Sequence, residues 1–231
     1  MADRILKNGK LFADIQRDIG NNYPNLLVLV EGGSIHIRGT LRLKDKKGVI
    51  LDSYLIDVTI PDNFPQKIPE LREIGNKIPH IQDRHFNPDG KACLGFRDEI
   101  FLYWNDKSGI MDFIKVFVEP FFIWQTEFEA TGGDNKEKAY YHGTAAAFQF
   151  YGNLIGTKNQ NAIYNFIDYL SRKKIKGHWR CFCGSGKQLR DCHFELVKKY
   201  KEKIRMKDAR KTINELNEAI RKLVEKKKEN Q

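Results

Sequence analysis

Three cysteines and one histidine crowd the stretch His178-Trp-Arg-Cys-Phe-Cys-Gly-Ser-Gly-Lys-Gln-Leu-Arg-Asp-Cys-His193. Cys181, Cys183, Cys192 and His193 form the pattern C-x-C-x₈-C-H. Three thiolates and one imidazole complete a tetrahedral shell for Zn²⁺, leaving no position open to water, so the spacing points to a structural ion. Gly184 and Gly186 let the chain turn tightly while its N–H groups point at the sulfurs. His178 lies outside the pattern and His193 is the expected ligand. The Gly-Ser-Gly-Lys string lacks the spacing and the preceding strand of a phosphate-binding loop. The fourth cysteine, Cys93, stands alone. A lone cysteine is either a buried small hydrophobe or a nucleophile. As a thiolate it attacks well and leaves well, which suits a carrier that accepts an acyl group and passes it to an amine.

The elements that must position these groups are legible in outline. Residues 3–19 place Ile5, Phe12, Ile15 and Ile19 on one face of a predicted amphipathic helix, ended by Asn21, Asn22 and Pro24. Three strand-like runs follow at 25–31, 34–43 and 49–60, joined by a Gly32-Gly33 turn and an Asp45–Gly48 turn, which reads as an antiparallel meander. Five of the seven prolines then fall within residues 61–88, so this stretch is expected to be irregular but ordered chain, with Cys93 at its end. Residues 108–123 are expected to be helical up to Pro120, and 126–139 to be an exposed loop. Further helices are expected at 142–155, at 160–172 and from Phe194 onward. In the last of these, Met206, Ala209, Ile213, Leu216, Ile220 and Leu223 follow 3,4 spacing.

The order of these features resembles the ubiquitin-conjugating enzyme family over roughly residues 1–125. Phe64-Pro65-Gln66-Lys67-Ile68-Pro69 resembles its Tyr-Pro-x-x-Pro-Pro loop, with Pro65 and Pro69 as the loop's structural prolines. His85-Phe86-Asn87 resembles its His-Pro-Asn, and Gly90-Lys91-Ala92-Cys93-Leu94 its Gly-x-x-Cys-Leu. Trp104 follows where the family often has a tryptophan. The resemblance implies an α+β fold and a thioester carried on Cys93. It implies Asn87 as donor to the oxyanion, although Asn87-Pro88-Asp89-Gly90 is also a strong turn sequence by itself. His85 would hold the loop through backbone. Two fewer residues than usual separate the His-x-Asn from the cysteine. His142, in Tyr-Tyr-His-Gly, resembles a His-Gly downstream of the cysteine in bacterial relatives, and Asp98, Glu99 and Asp106 are acids that can orient an attacking amine. His80 and Arg84 read as loop or surface residues. The metal cluster closely resembles the SEC-C zinc motif at the end of the bacterial secretion ATPase.

Charge divides the chain. The net charge is +10, yet residues 1–171 are net −2 and residues 172–231 are net +12. The expected segments are therefore a catalytic-type domain with a helical extension (1–171), a zinc knuckle (172–194) and a basic terminal helix (195–231). No apolar run is long enough for a membrane span or a signal peptide, so a cytoplasmic protein is expected. The combination resembles bacterial members of the family found in antiphage (CBASS) operons, where the modified partner is a cGAS-like nucleotidyltransferase. The expected activity is cysteine-dependent transfer of a protein C-terminus to an amine. Two other readings are an inert binding module of the same fold and a protein that binds nucleic acid or another polyanion through residues 172–231.

Overall fold

In β2 the buried apolar residues are Ile35, Ile37, Leu41 and Leu43, and in β3 they are Tyr54, Ile56, Val58 and Ile60. This period of two is what a sheet with one face in a core requires. The computed structural model describes residues 2–133 and 143–229. The fold is α+β: after α1 (Ala2–Asn22), the strands β1 (Leu26–Glu31), β2 (Ser34–Lys44), β3 (Ile50–Ile60) and β4 (Glu70–Glu73) make one antiparallel sheet in the order β1-β2-β3-β4. Register pairs Val28 with Ile37 and Ile37 with Val58, aligning the apolar positions across three strands. α1 buries Ile15 and Ile19, and Tyr54 of β3 stacks on Phe122 at 4.5 Å.

The expected strands and first helix appear within a few residues of their predicted limits. Three details differ. The proline-rich stretch contains a strand, β4, because Leu71 is buried and Glu70–Glu73 ladders onto β3 between Pro69 and Gly75. The helix expected to stop at Pro120 continues. α3 (Ile110–Phe113) passes through a π-helical turn (Ile114–Val118) into α4 (Glu119–Ala130), with the Glu119 N–H bonded to the Ile114 carbonyl. Pro120 thus falls in the first turn of a new α-register, where no N–H is needed. The loop expected over 126–139 is helical to Ala130, and its residues from 134 onward lie outside the described residues, as does His142.

The chain forms two compact units, Met1–Leu94 with Trp104–Ala139, and Gly95–Tyr103 with Tyr140–Gln231. The second contains α2 (Arg97–Tyr103), α5 (Gly143–Ile155), α6 (Gln160–Ser171), the Cys/His cluster, α7 (Phe194–Lys203) and α8 (Met206–Glu229). The expected single terminal helix is broken at Ile204–Arg205. Helices expected to extend the first segment (142–155 and 160–172) share one hydrophobic core with the knuckle and the terminal helices, through Tyr151, Phe166, Ile167, Phe182, Val197 and Ile213. Only the middle of the α8 stripe is buried: Ala209, Ile213 and Leu216 are in the core, while Met206, Ile220 and Leu223 are exposed. No helix among the described residues is long and apolar enough to cross a membrane.

The second unit is tied together by a buried carboxylate. Asp98 Oδ2 accepts from the Tyr151 hydroxyl at 2.8 Å and the Thr212 hydroxyl at 2.7 Å, and Oδ1 accepts from Arg97 Nε at 3.3 Å. One side chain thereby joins α2, α5 and α8. Burial raises its pKa above the ordinary 3.8, outweighing the hydrogen bonds and Arg97. The folded state then holds a proton that the unfolded chain releases, so this group's contribution favours folding below the ordinary carboxylate value and is lost as pH rises through the folded pKa. Asp98→Asn should abolish that component, so that its stability relative to wild type improves between acidic and neutral pH in urea unfolding. An Asn-minus-wild-type difference independent of pH would refute this. Asp98→Ala, which orphans two hydroxyls, should cost about 2–4 kcal/mol.

Candidate thiol site and metal centre

Cys93 is placed by backbone. After β4 the chain makes a 3₁₀ turn (Gln82–Arg84), passes through His85 in a left-handed conformation (φ 56°), and folds into a small hairpin. Phe86 and Ala92 form its bridge. It is flanked by the Asn87 N–H bonded to the Lys91 carbonyl at 2.8 Å and the Cys93 N–H bonded to the His85 carbonyl at 2.7 Å. The turn is closed by the Gly90 N–H on the Asn87 carbonyl at 2.9 Å, and Gly90 has φ 78°, which a side chain would strain. The returning arm runs beside β4: Lys91 bridges Arg72 and the Ala92 N–H bonds the Leu71 carbonyl at 2.8 Å. Cys93 therefore stands at the edge of the sheet, half-buried and free.

Side chains on opposite hairpin arms share a face when their residues pair, so with Phe86 opposite Ala92 the flanking Asn87, Lys91 and Cys93 belong to the other face. Asn87 is diagonal to Cys93, about 7–8 Å away by general sheet geometry. Its amide donates to the Lys91 carbonyl at 3.2 Å, so the turn uses one of its two N–H groups. The His85 ring is buried edge-on against Trp124 at 4.9 Å, and its backbone carbonyl is what holds Cys93.

Two further contacts fix the segment. Trp104 is 2% exposed and donates from Nε1 to the Pro65 carbonyl at 2.6 Å, while Phe64 meets its ring edge-on at 5.8 Å. Pro69 is buried at the entry to β4. Arg84, expected in a loop or at the surface, ends the 3₁₀ turn and is buried. Its Nε donates to Gln125 Oε1 at 2.8 Å, the Gln125 amide returns a bond to the Arg84 carbonyl at 2.8 Å, Nη1 pairs with Glu129, and the guanidinium lies over the Phe128 ring at 4.4 Å. Arg84 and Gln125 are the positioning residues that sequence reasoning missed. Their partners lie 41 residues apart, and no local pattern links them. His80 is also more than a surface residue: it stacks on Phe86 at 4.5 Å, and its Nε2 lies 3.6 Å from the buried Glu73 carboxylate.

Asp98 is fully buried in the second unit, with both carboxylate oxygens already accepting hydrogen bonds. Its described partners give it a packing role. Glu99 is half-buried in α2 and Asp106 is exposed.

In the knuckle, the donor atoms of Cys181, Cys183, Cys192 and His193 lie within 4.8 Å of one another. Cys181 Sγ and Cys192 Sγ each stand 3.2 Å from His193 Nδ1, and Cys183 Sγ is 3.7 Å from Cys192 Sγ. Bonds of about 2.3 Å to sulfur and 2.0 Å to nitrogen give tetrahedral edges of about 3.5–3.8 Å. The four atoms are thus arranged as a shell that could hold a metal ion. Gly184 and Gly186 both take φ near the left-handed region, at 79° and 76°, with nothing near the position a Cβ would occupy. Side-chain and backbone hydrogen bonds from Ser185 pull the Cys183 thiol down to about 6, while burial pushes Cys181 up to about 12. Comparison with family models, curated proteins and solved structures finds no match to this chain.

Removing the Arg84 guanidinium should loosen the loop on its helix. Arg84→Met is expected to destabilise the protein by roughly 2–4 kcal/mol in chemical unfolding and to speed alkylation of Cys93 under native conditions. Unchanged stability together with an unchanged alkylation rate would refute the positioning role. Cys183→Ser should abolish binding of one equivalent of a thiophilic divalent ion, measured by metal analysis after dialysis, whereas His178→Ala should retain it.

Proposed function

We propose that residues 1–125 form a ubiquitin-conjugating-enzyme-like domain in which Cys93 carries the C-terminus of a partner protein as a thioester and delivers it to an amine. The observation that carries this reading is the placement of Cys93: a half-exposed thiol at a sheet edge, on a hairpin held by the His85 carbonyl and braced through Arg84 and Gln125. The helix, the four-stranded meander and the Trp104 contact to the Pro65 loop support the same arrangement.

The chemistry is a double displacement. The Cys93 thiolate attacks a carbonyl already activated as a thioester on a second protein, a C–S bond forms, and that protein's thiolate leaves. A lysine amine then attacks the Cys93 thioester, the tetrahedral oxyanion collapses to an amide, Cys93 leaves as thiolate, and the amine's proton passes to water or a nearby base. The second N–H of Asn87 is the donor on this face of the hairpin for the oxyanion. No adenylation motif stands in the chain, so the activated donor comes from another enzyme. In this reading the knuckle holds Zn²⁺ as a structural ion and docks partners, of which a cGAS-like nucleotidyltransferase in antiphage defence is the foremost.

The test is incubation with an activated donor protein and detection of a covalent adduct. With Cys93 the adduct should be released by thiol. With Cys93→Ser it should persist under thiol as an oxygen ester, and with Cys93→Ala it should be absent. No adduct, or one that survives Cys93→Ala, sinks the proposal. The engagement of the Asn87 amide in its own turn favours a second reading, an inert binding module. Asn87→Ala separates the two: transfer to amine should fall about 10²–10³-fold if the amide stabilises the oxyanion, with formation of the Cys93 adduct unaffected.

A further inference from the structure

A groove of about 540 Å³ opens between the segment that follows α6 and one face of α7. Phe194, Lys198 and Lys201 lie on that face at i, i+4 and i+7, and Lys173, Lys174 and Ile175 form the opposite wall. Glu202 is the one carboxylate lining it. Four ammonium groups thus gather around an apolar floor made of Ile175 and Phe194, whose buried sides pack against the core of the second unit.

The wall is built rather than loose. Lys201 Nζ donates to the Leu170 carbonyl at 3.2 Å and to the Arg172 carbonyl, and Arg210 Nη2 donates to the Ser171 carbonyl at 3.2 Å. Arg172 is occupied by Asp168 and by the Trp179 ring. These bonds fix the chain that presents Lys173 and Lys174. Among the described residues no ion pair engages Lys173, Lys174 or Lys198, so these three solvated cations face the groove with Glu202, four residues beyond Lys198, as the one carboxylate beside them. Burial and the neighbouring Arg210 together lower the Lys201 pKa, a cost that an anion in the groove would relieve.

Clustered lysines call for a ligand with repeated negative charge, and an aromatic floor in a concave site calls for a flat group that can enter it. Duplex nucleic acid keeps its bases stacked and offers phosphate alone, whereas a single strand offers both. We propose that this groove is a binding site for single-stranded nucleic acid, its phosphates on Lys173, Lys174 and Lys198 and a base against Phe194. The proposal does not rest on the Cys93 reading. It also places the polyanion contact of the basic segment at α7 rather than at the lysines that end α8.

The test is fluorescence anisotropy of a short labelled oligouridylate with the full-length, metal-loaded chain across a salt series. Three lysine contacts predict that log K falls against log salt with a slope of about −2, because each contact on a single strand contributes about −0.7. The Lys174→Gln, Lys198→Gln double variant, changed only at the surface, should cut the slope to about −0.7, while Lys226→Gln, Lys227→Gln, Lys228→Gln leaves it nearly intact. Phe194→Leu, with its fold checked by circular dichroism, should weaken single-strand binding about tenfold and leave duplex binding unchanged. Competition by inorganic phosphate alone at millimolar level, or preferential binding of anionic phospholipid vesicles, would overturn the assignment to a single strand. So would binding lost in the α8 variant but kept in the groove variant, or no binding at low salt.

Discussion

A buried guanidinium sets the geometry of the first unit. Arg84 is taken out of water between a 3₁₀ turn and a helix, where an unpaired charge would be very costly. Gln125, Glu129 and the Phe128 ring answer it, and the Gln125 amide closes the circuit by returning to the backbone of Arg84 itself. A reciprocal pair of this kind defines both distance and orientation, because each amide and guanidinium direction is fixed in a plane. The next residue, His85, is thereby held in its left-handed turn, and its carbonyl becomes a fixed acceptor for Cys93. The thiol's position is thus inherited from a helix distant in sequence, with the π-helical turn before Pro120 allowing that helix to run on far enough to supply Gln125 and Glu129.

The second unit couples its metal cluster to its core. Cys181 and Phe182 are buried in the core shared with α6 and α7, Cys183 and His193 are half-buried, and Cys192 is exposed. One ligand of the shell therefore lies in the hydrophobic interior, one stands in solvent, and two lie between. Hydrogen bonds from Ser185 favour the thiolate at Cys183, whereas burial disfavours charge at Cys181, a cost that a bound cation would offset.

What was legible in the sequence was mainly local. The alternation in 34–60, the Gly32-Gly33 turn and the ligand spacing of the knuckle are each contained within a few residues, and each appears in the structure near where it was expected. Pro120 misled because its usual meaning, the end of a helix, assumes α-register on both sides. β4 was hidden by the prolines that flank it. Arg84 was unreadable as a buried residue, since its identity suggests a surface and its partners come from a helix dozens of residues later. Asp98 looked available for chemistry for the same reason: only the fold brings Tyr151 and Thr212 to it.

The chain enters the second unit at Gly95, leaves it after Tyr103, and returns at Tyr140. The terminal unit is consequently discontinuous, and the inserted piece is not decoration, because it brings Asp98 to hydroxyls on α5 and α8. A fragment cut before α5 would carry the whole Cys/His cluster and the basic helices yet leave Tyr151 and Thr212 facing an empty acceptor. A single break ahead of α5 therefore parts Asp98 from both of its hydroxyl donors and leaves the second unit without its inserted helix.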